Sequence, residues 1–311
     1  MLRFSLKVLI FLIPLIILNL FLLSFGFLFH QKNEYIINKL ANYVPPTNTV
    51  NFLFIGSSRI NCGISPDDFA SSFNKLGIKV SATNLGIDAT PAYLGLILAR
   101  NNLKKYDYII IEIFPGNPLI SLSPYLIKKK PFQTINDYLN FNLENFSAVQ
   151  NLYSILLYWL NRNSTYYIDC HNNGFSELKL TSNYLSLMKT KHKWVEEESK
   201  SEQSSPSLAI NYYRYLSYIK ILIKNSKTKI IFITMPVDGK LAEYQSFNLT
   251  KFNPTCLFVK YFPDAINIKS SNDSILSQFH TADDSHMDGK TAKEFSIALG
   301  KLVISKAAIH R

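Results

Sequence analysis

The chain begins with a long apolar run and then alternates between strand-like and helix-like patterns. From Val8 to Phe29 the run VLIFLIPLIILNLFLLSFGFLF carries no charge and is interrupted only by Pro14, Asn19, Ser24 and Gly26. A helix of that length crosses a hydrocarbon core of about 30 Å. A cleaved signal peptide would instead end its apolar core at a small-x-small site. Ser24-Phe25-Gly26 matches such a site marginally, and the run continues past it through Phe29. A retained anchor over residues 1–30 is therefore favoured over a cleaved leader. Arg3 and Lys7 precede the span, and Lys32, Glu34 and Lys39 follow it. The slight positive-inside bias favours a membrane protein with one pass, a cytoplasmic N-terminus and an exported body.

Residues 31–48 read as a connector ending in the turn-prone Pro45-Pro46-Thr47-Asn48, and residues 49–311 as the main domain. Its first strand is the buried run Val50–Ile55, stopped by Gly56-Ser57-Ser58. Ser65-Pro66-Asp67-Asp68 then opens a helix, with Ser65 as cap, Pro66 at the first position and Asp68 at the capping-box spacing. A second strand is predicted over 79–84, a helix from Thr90-Pro91 to about Lys105, and a third strand over Tyr108–Ile113. The third is as apolar as a strand covered on both faces.

Residues 118–207 break this rhythm. They read as a mostly helical insertion over one end of the sheet, with an aromatic stretch at 152–160 and a polar passage at 196–207. The pattern resumes with a helix over 212–224, a strand over Lys229–Thr234 and a short strand over 265–268. The closing helix carries Phe295, Ala298, Leu299, Leu302 and Val303 on one face. Strands alternating with helices predict the α/β class, as a flavodoxin-like three-layer sandwich with a mainly parallel sheet.

Composition narrows the partners. With 47% hydrophobic and 18% charged residues in 311, an intrinsically disordered chain is excluded. Net charge is +11, which points to an anionic neighbour such as phospholipid or an acidic envelope polymer. Apart from Lys128-Lys129-Lys130, read as a solvated loop in preference to a membrane-surface contact, the basic residues are scattered, so no nucleic-acid partner is expected. Cys62, Cys170 and Cys256 form no metal spacing and no CxxC; they read as thiols, with one disulfide left open outside the cytoplasm. His171, His192 and His280 stand apart from any ligand-spaced Cys or His, so neither a metal nor a cofactor is expected.

In a parallel α/β sheet, ligands sit beyond the carboxyl ends of the strands. The first strand runs into Gly56-Ser57-Ser58-Arg59, which places a serine near a helix N-terminus, where N–H groups favour developing negative charge. The phosphate-loop spacings GxxxxGK[ST] and GxGxxG are absent. Asp283-Asp284-Ser285-His286-Met287-Asp288-Gly289 lies just before the closing helix. A hydroxyl nucleophile needs a base, and the base needs a carboxylate to hold its tautomer. Asp283 and His286, three residues apart, can meet that need from one tight turn. The bland alternative is a solvated acidic loop with Asp288 capping the helix. Arg59 reads either as an exposed or ion-paired arginine or as a contact for an anionic substrate.

Together the two motifs resemble the SGNH (GDSL-type) hydrolase superfamily, which has a serine after the first strand and DxxH before the last helix. The resemblance covers roughly 50–118 and 229–311. It implies Ser58 as nucleophile, His286 as general base and Asp283 as its partner, with Ser57 matching the motif's aspartate. Gly56-Ser57-Ser58-Arg59 departs from Gly-Asp-Ser-Leu at two positions. The family's oxyanion hole implies the N–H of Ser58, the N–H of Ala89 where a glycine usually stands, and the side chain of Asn117, whose block has one extra residue. An anchor before such a body looks like the branch that includes the D-alanine transfer protein of teichoic-acid synthesis and envelope O-acetylation proteins. That likeness implies a membrane-anchored serine esterase or O-acyltransferase acting on an acyl ester of a cell-envelope glycan, polymer or lipid. Its implied partners are membrane lipid and a membrane-bound O-acyltransferase. The rival expectation is a non-catalytic accessory subunit that binds a glycan or a membrane acyltransferase.

Overall fold

A computed structural model describes residues 14, 34–87, 92–113, 166–180, 207–224, 226–239, 241–243 and 254–309. Its main sheet has five strands: β1 (Val50–Gly56), β2 (Val80–Gly86), β3 (Tyr108–Glu112), β6 (Lys229–Thr234) and β7 (Ile266–Lys269). All neighbours pair in parallel, in the order β2-β1-β3-β6-β7. Counted within this sheet alone the order is 2-1-3-4-5, the flavodoxin-like winding, whose switch point lies at the carboxyl ends of its first and third strands. Strands β4 (Tyr166–Cys170) and β5 (Ser176–Leu180) form a separate antiparallel hairpin.

Both faces of the sheet are covered. Leu53, Ile55, Ile109, Ile111 and Phe232 enter one core cluster, while Phe52, Phe54, Ile110, Ile231 and Ile233 enter the other. Successive side chains of a strand point to opposite faces, so continuous apolar runs such as Phe52–Ile55 serve both. Helices α1 (Glu34–Ala41), α4 (Ala92–Ala99), α5 (Ser207–Leu222) and α6 (Pro254–Tyr261) contribute to the first cluster. Helices α2 (Ser58–Gly63), α3 (Pro66–Ser71) and α7 (Gly289–Lys306) contribute to the second. There Phe52 stacks on Tyr108 at 4.8 Å and meets Phe69 edge-on at 4.9 Å, geometries that add to simple area burial.

Several local expectations are corrected. The segment read as a connector holds α1, and its Ile37, Leu40 and Ala41 are buried in the core. The helix expected to reach Lys105 ends at Ala99 and is followed by a turn of 3-10 helix at Leu103–Lys105. The capping box does not form. The Ser65 N–H is taken by Ser296 Oγ at 2.8 Å, and the Ser65 hydroxyl donates to the Asp68 carboxylate. The insertion was expected to be mostly helical, yet its described part is the β4–β5 hairpin; the 152–160 stretch and Lys128–Lys130 lie outside the described residues.

That hairpin braces the body. Asn84 N–H, on the free edge of β2, donates to Asn173 O at 2.9 Å. Phe175 enters the core, Ser176 Oγ donates to Asn61 Oδ1 of α2 at 2.8 Å, and Glu177 accepts from Lys293 of α7 at 2.7 Å. Among the described residues no helix is long and apolar enough to cross a membrane. The Val8–Phe29 run, Pro14 apart, lies outside them. No disulfide joins buried Cys62, half-buried Cys170 and exposed Cys256.

Candidate active site

The turn after β1 is built tightly. A Cβ at Gly56 would fall 2.3 Å from Ile60 Cγ1 and 2.6 Å from Glu112 Oε2, so glycine alone fits there. Ser57 follows as the N-cap of α2, its Oγ accepting from the Arg59 N–H at 3.2 Å. Its hydroxyl is buried and spent on the cap. Ser58 comes next as the first helical residue, half-buried, at the carboxyl end of the sheet. A helix start leaves that N–H without an intrahelical acceptor.

Ser58 Oγ lies 2.7 Å from His286 Nε2. On the other side of the ring, Nδ1 lies 3.0 Å from Asp283 Oδ2 and 3.1 Å from Oδ1. An ionised carboxylate only accepts, so it selects the tautomer with the proton on Nδ1. Nε2 then carries the lone pair, and the Ser58 hydroxyl donates to it. Asp283 is itself held: its Oδ1 also accepts from the N–H groups of Ser285 at 3.1 Å and His286 at 2.6 Å. Asp288 caps α7, accepting from Thr291 N–H at 2.9 Å. The structure thus brings Ser58, His286 and Asp283 into one hydrogen-bonded line. Ala89 and Asn117 lie outside the described residues.

Other residues frame this line, Asp238 and Glu112 among them unremarked in the sequence. Asp238, just after β6, pins the loop before His286. Its carboxylate accepts from Thr281 N–H at 2.5 Å and Thr281 Oγ1 at 2.7 Å and pairs with His280 Nδ1 at 3.0 Å, while its N–H donates to Asp284 O at 3.1 Å. Burial alone would raise the Asp238 carboxyl, but the bonds from His280 and Thr281 outweigh it and hold the group below its ordinary value. Asp284 takes up a left-handed backbone, φ 67°, a conformation that aspartate tolerates better than most residues.

Beneath the turn, Glu112 closes β3 with its side chain 1% exposed, and Oε2 accepts from the Ser57 N–H at 2.6 Å. Arg59 is buried beside it, Nη1 lying 3.9 Å from Glu112 Oε1, with Nε donating to Ser285 Oγ at 3.2 Å. Of its two expectations, Arg59 takes the ion-paired one. Burial first, and then the negative charge of Glu112, push the Tyr215 phenol above its ordinary value, so it stays neutral. The sequence signal for Glu112 was a lone charge ending an otherwise apolar strand.

His171 was expected to stand apart from any ligand-spaced Cys or His; the hairpin groups it with the carboxylates of Asp169 and Glu177, their ligand atoms within 4.8 Å of one another. Lys179 already bridges Asp169 at 2.7 Å, and Lys293 holds Glu177 at 2.7 Å. Burial would raise the Glu177 carboxyl, yet Lys293, His171 and Lys179 together lower it. A cation there would have to displace two ammonium groups.

No protein-family model matches the chain, and no curated protein matches it. Among solved structures it is similar to the lipase Lip_vut3 from a goat rumen metagenome, at 13% identity and a TM-score of 0.40, covering 85% of this chain and 99% of that one. It is also similar to a family two carbohydrate esterase from Clostridium thermocellum in complex with cellohexaose, at 12% identity and a TM-score of 0.37, covering 85% of this chain and 66% of that one.

Proposed function

We propose that the chain is an SGNH-like serine esterase or O-acyltransferase. The observation that carries this reading is the line from Ser58 Oγ through the His286 ring to Asp283, with 2.7 Å at one nitrogen and 3.0 Å at the other. Both contacts fall within the reach a general base requires. Ser58 Oγ attacks the acyl carbonyl as His286 Nε2 takes its proton, and Asp283 stabilises the imidazolium. The C–O bond to the leaving alcohol then breaks, the alkoxide takes the proton from Nε2, and the acyl group stays on Ser58. Water or a sugar hydroxyl attacks next, giving its proton to His286, and Ser58 is released with its hydroxyl restored. The N–H of Ser58, the N–H of Ala89 and the Asn117 amide would hold the oxyanion in this scheme. An anchor in residues 8–29 would keep the body at the outer membrane surface, facing acyl esters of envelope glycan, polymer or lipid beside a membrane-bound acyltransferase. Supporting it are the uncharged apolar run and the +11 net charge.

The test is covalent labelling of the full chain by a fluorophosphonate probe, alongside hydrolysis of p-nitrophenyl acetate. Wild type should label and Ser58→Ala should not. Asp283→Asn should lower kcat by about 10⁴, because the amide favours the wrong tautomer. His286→Ala should abolish turnover while the chain still folds, with a lowered melting midpoint, since the ring is 22% exposed and bonded to Ser58 and Asp283. No labelling of wild type, or labelling that survives Ser58→Ala, refutes the enzyme reading and leaves the accessory-subunit one.

A further inference from the structure

Two buried charges lie directly under the nucleophile turn, and the acyl-transfer scheme uses neither. Glu112 Oε2 holds the Ser57 N–H, one residue before Ser58. Its other oxygen, Oε1, is buried, has no hydrogen bond among the described residues and faces Arg59 Nη1 across 3.9 Å. Arg59, one residue after Ser58, reaches the opposite way. Its Nε–H donates to Ser285 Oγ, 226 residues along the chain, and the Ser285 N–H donates to Asp283 Oδ1. One connected path therefore runs from the end of β3, through the turn that carries Ser58, to the turn that carries Asp283 and His286.

Such a pair is not explained by stability. Taking both charges out of water costs about as much as their attraction returns, and apolar replacements of similar volume are often neutral or better. What the charged groups supply and an apolar pair does not is direction, because Glu112 accepts from the Ser57 N–H and the Arg59 Nε–H donates to Ser285 Oγ, each a charge-assisted hydrogen bond that fixes an angle. We propose that Glu112 and Arg59 are positioning residues that set the Ser58–His286 contact: Glu112 fixes the serine turn, and Arg59 fixes the histidine turn against it. The inference rests on Ser58 as nucleophile. It also assigns Arg59 away from substrate, since its side chain is 7% exposed and already engaged.

The experiment compares Glu112→Met, Arg59→Met and the double variant of the full chain. Each single substitution strands a buried charge and lowers the melting midpoint. The double variant removes both charges and should melt close to wild type. The positioning role predicts that its rate does not return with its stability. For p-nitrophenyl acetate, kcat should stay about 10²-fold low with KM little changed, the size of effect expected from a misplacement near 1 Å. Fluorophosphonate labelling of Ser58 should slow in parallel. Arg59→Lys, which keeps the charge but not the Nε–H, should fail to rescue the rate. A stable double variant with wild-type kcat and labelling overturns the inference. If wild type neither turns over nor labels, the esterase reading itself has failed. The pair is then read from crystal structures of wild type and the double variant: a Ser58 Oγ–His286 Nε2 distance that lengthens beyond about 3.2 Å supports it, and an unchanged distance overturns it.

Discussion

Removing the Asn84 amide should unfold the base of the active site more readily than removing any single surface contact. Asn84 is fully buried at the end of β2, and its Nδ2 donates to Ile60 O and Ile64 O, both at 2.7 Å. Its Oδ1 accepts from Gly86 N–H at 2.8 Å. The first two bonds tie helix α2, whose first residue is Ser58, to the neighbouring strand, and the third stays within β2. In Asn84→Ala, Ile60 O keeps the Ile64 N–H at 3.1 Å, but Ile64 O and Gly86 N–H lose the partner Asn84 supplied. Three hydrogen bonds are lost, each worth about 1 kcal/mol net, so the substitution costs about 3 kcal/mol. At about 2–4 °C per kcal/mol for a domain of this size, the melting midpoint should fall by about 6–12 °C. Asn102→Ala is the control. Asn102 is buried too, but its amide makes a single bond, to Ala41 O at 3.1 Å, so about a third of that drop is expected. Asn84→Asp should be worse than Asn84→Ala, because it turns a carboxylate oxygen towards two carbonyls. Thermal melts followed by circular dichroism give all three numbers. A drop under about 2 °C for Asn84→Ala, or one equal to that of Asn102→Ala, would refute the assignment.

Two further outcomes follow from the site's supports. The Asp238 carboxyl is held below its ordinary value of 3.8, so its contribution is complete above that pH and is lost as pH falls through the lowered folded value. Asp238→Asn should therefore melt below wild type at pH 7, with the gap closing as pH drops under about 4; a gap that stays constant in melts across pH 3–7 contradicts the clamp. Gly174, in the β4–β5 turn at φ +92°, would place a Cβ 2.0 Å from Asn84 O, and backbone cannot yield as a side chain does. Gly174→Ala should lift the hairpin from β2, costing about 2 kcal/mol or more and opening residues 171–175 to limited proteolysis; an unchanged cleavage pattern counts against this docking.

Much of the architecture is legible locally. β1, β3 and β6 are continuous apolar runs because both of their faces are covered, and that pattern needs no knowledge of the neighbours. The α7 start is equally local: Asp288 caps it through Thr291, three residues on. So is the Asp283–His286 contact, which one turn can close by itself. The β4–β5 hairpin was not legible, because its residues lie in a segment whose aromatic stretches suggested helix, and its reason to exist is the free edge of β2. The capping box at Ser65 failed for a similar cause, since Ser296 of α7 reaches the N–H that the local motif would have used.

What the chain's order of residues determined alone is the set of elements and the two short motifs at strand ends. Periodicity, caps and turns act over a few residues and can be read one segment at a time. Only the tertiary structure decided that His286 meets Ser58 across 228 residues, that Arg59 turns inward to Glu112 and Ser285, and that Asn84 holds α2 rather than facing solvent. These contacts depend on the strand order 2-1-3-4-5, which gathers the carboxyl ends of β1, β3 and β6 at one edge of the sheet. That order is set by which apolar faces bury one another best, a sum over the whole core that no local window contains.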